Sequence, residues 1–352
     1  MVSIAQVGVG YWGPNLLRNL VASKRCTVKT VVDISDDRQQ YVRRLYPAIK
    51  VTDTIYSAIY DSDIDAIVIA TPVATHYDLA MNALKAGKHI LVEKPLATSV
   101  REVEEIATLA TERNLVAMVG HTFLFSSAVR YVKGLVDSGT LGDICYIYSQ
   151  RLNLGRIRSD VDALWNLAPH DISIIQYWLN DPTPLSVVCH GAAYIQKTVA
   201  DVVFMNVLYP NNIIANIHVS WLDPRRVRSM ILVGTKKMVV YDDSAENQIA
   251  IHDKGIDRKE RSDQYAHRDE REFPVFHYRS GDILLPKINP QEPLSLEIDH
   301  FLDCIQNGTH CISGPDHAKK VVQILSSTEQ FSEGRLHLLQ AHCNDGAYLR
   351  TR

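Results

Sequence analysis

The first third of the chain alternates short apolar runs with stretches whose apolar positions recur at helical spacing. Strands are predicted over 2–7, 28–32, 66–70, 89–92 and 116–119. Helices are predicted over 12–22, 35–45, 76–86 and a long segment capped by Ser99 with Glu102, Glu104 and Glu105 near its start, where the helix dipole favours acidic side chains. The Ala-Ile-Val-Ile-Ala run at 66–70 has the β-branched character of a strand covered on both faces. Such strand–helix alternation implies a doubly wound parallel sheet with right-handed crossovers.

After about residue 123 the period changes. A helix over 125–136 is followed by longer alternating strands over 144–152, 185–194, 202–208, 213–220, 227–233 and 237–241. Pro210-Asn211-Asn212 reads as a hairpin turn between two of them. The charged stretch 242–272 is predicted as a surface excursion, and helices return at 294–306 and 316–332. The fold class is therefore α/β: an N-terminal domain over 1–123 and a C-terminal α+β domain over 124–352, built on an open, largely antiparallel sheet. One face of that sheet needs a cover, and self-association into a homodimer or homotetramer is the economical one.

A length of 352 residues suits two domains, and 46% apolar residues suit folded ones. A net charge of −3 with both signs interspersed argues against a nucleic-acid partner. No apolar run approaches the ~18 residues of a membrane span, and the start of the chain has no leader-like pattern. The six cysteines, Cys26, Cys145, Cys189, Cys304, Cys311 and Cys343, are scattered without a C-x-x-C pair. They read as reduced thiols of a cytoplasmic protein, with no metal expected. Asn307-Gly308-Thr309 reads as a turn after a helix.

Gly8-Val9-Gly10-Tyr11-Trp12-Gly13 stands between the first strand and the first helix. That context makes it a dinucleotide fingerprint of the Rossmann type: glycines let backbone amides approach a pyrophosphate at a helix N-terminus. Pro14 suits the first helical turn. Asp33 ends the second strand, twenty residues beyond Gly13, where a carboxylate accepts from the ribose hydroxyls. Ile34 and Ser35 follow it rather than arginine, so NAD is favoured over NADP. The plainer reading makes Asp33 a cap for the following helix.

Ala70-Thr71-Pro72 with His76 close behind, Glu93-Lys94-Pro95 at the end of a strand, and Trp165-Asn166-Leu167-Ala168-Pro169-His170-Asp171 further on together make the sequence resemble the Gfo/Idh/MocA oxidoreductases. The resemblance implies an NAD-dependent dehydrogenase acting on a hydroxyl. It implies a cofactor site formed by Gly8, Gly10, Tyr11, Trp12, Gly13, Asp33, Ile34, Thr71, Pro72, His76, Glu93, Lys94 and His121. Lys94 lies at the carboxyl end of a parallel strand, where open α/β sheets bind ligands. A lysine in a partly desolvated cleft loses its proton more readily and can accept one from a hydroxyl as hydride leaves. His170, read as starting a helix after Pro169, is the other candidate base. Asn166 stands where many members carry aspartate, which removes a carboxylate relay and favours Lys94.

The run Arg151-Leu152-Asn153-Leu154-Gly155-Arg156-Ile157-Arg158 is similar to the branch of that family acting on the 3-hydroxyl of nucleotide sugars such as UDP-N-acetylglucosamine. Guanidinium forks pair with phosphate oxygens, so the substrate set implied is Asn153, Arg156, Arg158, Asn166 and His170. A free sugar or inositol as substrate, or a regulator that binds NAD(P) without turnover, are the competing readings.

Overall fold

Strand β4 (Ala66–Ile69) is buried at every position, as its Ala-Ile-Val-Ile sequence requires of a central strand in a parallel sheet. In the computed structural model, which describes residues 1–155, 157–159, 161–259 and 275–327, the sheet around it is six-stranded. Its strands are β1 (Val2–Val7), β2 (Cys26–Val32), β3 (Lys50–Thr52), β4, β5 (His89–Glu93) and β6 (Ala117–Gly120). They run in the order β3-β2-β1-β4-β5-β6 with every pairing parallel. The order reverses between β1 and β4, the switch point where such sheets open a crevice at their carboxyl edge. The connecting helices are α1 (Gly13–Ala22), α2 (Asp36–Leu45), α3 (Tyr56–Ile59), α4 (His76–Lys85) and α5 (Val100–Glu112). Ser99 caps α5 by accepting the Glu102 amide at 3.3 Å. Strand β3 and helix α3 carry no periodic signal long enough to be read from sequence.

The chain clusters into two units, the first comprising Met1–Ser126, Ile172–Asp181 and the described residues from Pro290 onward, the second Ser127–Asp171 and Pro182–Asn289. The second unit holds α6 (Ser127–Asp137), β7 (Ile144–Leu154), the first half of α7 (Ala163–Trp178), and strands β8 (Ser186–Ala192), β9 (Val202–Tyr209), β10 (Ile213–Ser220), β11 (Leu222–Gly234), β12 (Met238–Asp242), β13 (Ile249–Lys259) and β14 (Val275–Leu284). Its eight-stranded sheet has the order β14-β13-β12-β11-β7-β10-β9-β8, antiparallel except for β7 beside β10. The hairpin at 210–212 joins β9 to β10, with Asn211 and Asn212 both at positive φ, 61° and 58°, a conformation asparagine tolerates.

Part of the charged stretch expected as a loop is β13, because its strand pattern is carried by few apolar residues; 260–274 lie outside the described residues.

The last two helices, α8 (Pro293–Asn307) and α9 (Pro315–Ser326), belong to the first unit rather than to a C-terminal domain. Ile298, Phe301 and Leu302 of α8 are buried in one cluster with Leu16, Leu17 and Leu20 of α1. Burial of side chains of this size is worth roughly 1.5–3 kcal/mol each. The apolar stripe of α8 was visible in sequence, but not which sheet it would cover. No helix among the described residues is long and apolar enough to cross a membrane.

Candidate active site

At the end of β1 the backbone must turn sharply beneath α1. Gly8 has φ +92°, and a Cβ there would lie 2.6 Å from the Ala70 oxygen; at Gly13 it would lie 2.5 Å from the Gly8 oxygen. Both glycines are thus demanded by the fold itself. Gly10 differs, since an added Cβ would meet nothing within 4 Å, so its bare backbone faces open space. The N-terminus of α1 carries neither a side-chain cap nor an acidic residue in its first turn, which leaves its amides to an anion. Gln6, fully buried in β1, supports the turn by donating from Nε2 to the oxygens of Gly8 (3.0 Å) and Gly13 (2.8 Å). Asp33 accepts the Val9 amide on Oδ2 at 2.7 Å and the Ser35 amide on Oδ1 at 2.9 Å. Tyr11 and Ile34 flank the turn, each 90% exposed, and Trp12 is partly so.

The loops after β4 and β5 are tied to one another by His76. Its Nδ1 lies 2.7 Å from the Pro95 oxygen and its Nε2 2.9 Å from the Thr71 oxygen. The ring is 1% exposed, so His76 braces the loops that present Thr71, Pro72 and Lys94. Burial lowers its pKa, against the two carbonyl contacts. Pro72 is exposed and Thr71 half-buried. Thr71 shares a 2.7 Å hydroxyl contact with Thr75.

Lys94 is half-buried and follows Glu93, whose Oε2 accepts the Lys94 amide at 3.3 Å. Burial raises the Glu93 pKa to about 7, with Lys94 opposing. A second carboxyl, Glu297 of α8, is fully buried. It accepts from the Thr122 hydroxyl at 2.9 Å, and its Oε1 has no hydrogen-bond partner among the described residues. Burial, then the neighbouring Glu93, holds its pKa well above the usual range.

His121, at the end of β6, is 3% exposed, with Nδ1 unpartnered among the described residues. Its pKa is pushed well down by burial, then by His317 and Lys94. His317 meets it edge-on at 5.3 Å and is itself held by Asp181 (2.8 Å) and Ser173 (3.3 Å).

In the second unit, α7 begins at Ala163, where Asp162 accepts the Trp165 amide at 2.8 Å. Pro169 lies inside the helix, so His170 is mid-helix rather than at a start. The cap at Asp162 sets the beginning six residues earlier than the proline suggests. Beside His170, Asp171 is buried and accepts Nε and Nη2 of Arg151 on Oδ1, at 2.9 and 2.6 Å. Arg151 is thereby committed to holding α7. Asn166 and His170 are half-buried on α7, Asn153 is half-buried on β7, and Arg158 is exposed. Arg156 lies outside the described residues. Trp221 donates from Nε1 to buried Asp201 at 2.7 Å.

Residues 2–121 match the domain described as the oxidoreductase family, NAD-binding Rossmann fold, of Gfo/Idh/MocA, and residues 129–240 match the Gfo/Idh/MocA C-terminal domain. The chain belongs to the Gfo/Idh/MocA family. Within it, UDP-N-acetylglucosamine 3-dehydrogenase of Acidithiobacillus ferrooxidans is 30% identical over 160 residues, 45% of this chain and 49% of that one. The scyllo-inositol 2-dehydrogenase (NADP(+)) IolW of Bacillus subtilis is 28% identical over 132 residues, covering 38% and 36%. These and other curated relatives are matched over about half of their length or less. The crystal structure of GenD2 from gentamicin A biosynthesis, in complex with NAD, superposes with a TM-score of 0.77 at 21% identity, covering 94% of each chain; at that identity the likeness is one of fold.

For a Gfo/Idh/MocA domain the cofactor is a nicotinamide dinucleotide, and the residues present fit it. Bare backbone at Gly10 and uncapped amides at α1 suit a pyrophosphate, and Asp33 at the end of β2 suits a ribose. Sequence reasoning missed Gln6, Glu297 and His317. Only Gln6, a polar residue inside an apolar strand, carried a signal that could have been read.

Proposed function

We propose that the protein is an NAD-dependent dehydrogenase of a sugar hydroxyl, and that the sugar is carried on a nucleotide diphosphate and oxidised at its 3-hydroxyl, as in UDP-N-acetylglucosamine. The observation that carries the dehydrogenase reading is the pairing, on one sheet edge, of a bare glycine turn with a lysine. Gly10 opens the end of β1 to a dinucleotide, and Lys94 stands at the end of β5 beside a carboxyl. A regulator that only binds cofactor has no need of a proton acceptor there. NAD supplies the hydride acceptor. Lys94 takes the hydroxyl proton, and His170 is the second candidate for that proton. His76 and Glu93 fix the backbone from which Lys94 projects.

Arg158, exposed in the segment after β7, and Arg156 supply the guanidinium groups that suit a diphosphate. The relative acting on UDP-N-acetylglucosamine supports the same class. The test is NADH absorbance with a panel of nucleotide sugars, free sugars and inositols. Turnover of a nucleotide sugar at the highest kcat/KM is the expected result. Preference for an unphosphorylated polyol overturns the substrate class, and no turnover with any of them overturns the dehydrogenase reading.

Self-association belongs to the same proposal. Tyr146, Phe204 and Ile214 are each nearly half exposed on the second unit's sheet, alternating with the buried Ile147, Met205 and Ala215. A homodimer or homotetramer would cover them. Light scattering at micromolar concentration checks this, and a monomeric mass contradicts it.

A further inference from the structure

His300 and Cys304 stand one turn apart on α8, at i and i+4, and so share a face. The helix ends at Gly308, in the left-handed conformation with φ 65° and ψ 24°, which favours glycine. That turn folds the chain back and returns Cys311 to the same face. The His300 ring nitrogen and the sulfurs of Cys304 and Cys311 all lie within 4.8 Å of one another, with Cys304 Sγ 3.6 Å from His300 Nε2.

The Cys304–His300 separation is that of one edge of a coordination shell. With Zn–S of about 2.3 Å and Zn–N of about 2.0–2.1 Å, a tetrahedral site has an S···N edge of roughly 3.5 Å. The protonation state is also suitable. The Ile312 amide donates to His300 Nε2 at 3.2 Å, so this nitrogen is the unprotonated one, the form in which imidazole ligates a metal.

We propose that His300, Cys304 and Cys311 form a binding site for one thiophilic divalent cation of the zinc class, with water in the fourth position. The cation displaces the protons of the two thiols, which pass to solvent, and takes the His300 lone pair from the Ile312 amide. It thereby fastens the 308–313 loop to α8. That loop is joined to the cofactor sheet, since Ser313 accepts the Val119 amide of β6 at 2.9 Å. The site is independent of the substrate proposed above. The His-x3-Cys-x6-Cys spacing matches no common metal signature, so the sequence showed only scattered thiols.

The reduced, chelator-treated full chain is to be titrated with Co(II), which reports its ligands by absorbance, and then with Zn(II). The expected result is one equivalent bound, with thiolate charge-transfer bands in the near ultraviolet, strong tetrahedral bands in the visible, and their loss when Zn(II) displaces Co(II). Cys311→Ser and His300→Gln, both at partly exposed positions, should abolish the visible bands. They should also weaken binding by more than the ~10- to 100-fold that loss of an outer-shell partner alone can cost, with far-ultraviolet circular dichroism unchanged. Cys145→Ser, at an exposed position in β7, should bind as the unaltered protein does. Absence of thiolate bands in the unaltered protein, or their survival in a folded Cys304→Ser/Cys311→Ser double variant, overturns the assignment.

Discussion

Val9 donates its amide to Asp33 Oδ2 at 2.7 Å, so the acidic residue at the end of β2 is bonded to the glycine turn at the end of β1. The carboxylate therefore braces the glycine turn, and in the proposed cofactor site it also faces a ribose, where a 2′-phosphate would meet its charge. Asp33→Ala is expected to lose most of the preference for NAD over NADP, at least about tenfold, the scale of one charge-assisted hydrogen bond. It should also lower Tm, since the Val9 and Ser35 amides lose their acceptor. Values of kcat/KM with both cofactors check this; equal efficiencies in the unaltered protein would refute the preference.

Lys94 and the arginines after β7 should fail differently when removed. Lys94→Met is expected to lower kcat by about 10²- to 10⁴-fold, the range of lost acid–base catalysis, with NAD binding kept because the glycine turn is intact. Arg158→Ala should mainly raise KM for a nucleotide sugar, since phosphate is held alike in ground and transition states. Steady-state constants on the best substrate of the panel decide, and an undamaged kcat in the lysine variant rules out its role.

Arg151 and Asp171 form a buried ion pair within the second unit, with side chains 7% and 2% exposed. Removing one partner leaves an uncompensated buried charge. Arg151→Met is expected to cost about 3–5 kcal/mol of stability, whereas the double variant Arg151→Met/Asp171→Leu should recover much of it. Denaturant unfolding of the three proteins measures the difference. A single variant as stable as the parent contradicts the account.

Glu93 and Glu297 imply a pH dependence of stability. A carboxyl whose pKa is raised in the folded protein binds more protons there than when unfolded. Its contribution is full below the unfolded value of 4.5 and is lost as pH rises through the folded value, about 7 for Glu93. Tm should therefore fall, on account of these groups, between about pH 4.5 and pH 7. Glu297→Gln removes one such carboxyl and the like charge beside the other, so its Tm should fall less over the same interval. Melting curves from pH 4.5 to 8 test this, and parallel curves for the two proteins speak against it.

Much of the architecture was legible in sequence because its signals are local. The β-branched run at 66–70 became β4, the hairpin asparagines at 211 and 212 joined β9 to β10, and Ser99 caps α5. The glycine turn and Asp33 were readable because their spacing is set by one strand–turn–helix unit. His170 was misplaced at a helix start because Pro169 resembles a first-turn proline, while the cap that governs α7 is Asp162.

The sequence alone determined most strands of the two sheets, the dinucleotide turn and the position of Lys94 at a strand end, since each depends on periodicity or on neighbours a few residues apart. Tertiary structure decided what surrounds them. Glu297 reaches Thr122 across 175 positions of the chain, His317 reaches Asp181 across 136, and α8 covers α1 rather than the second sheet. These contacts follow from which apolar faces bury one another, and burial is what raises Glu93 and Glu297 and lowers His121. Apolar stripes are interchangeable in sequence, so the pairing of faces, and with it the electrostatics of the residues around Lys94, exists only in the folded chain.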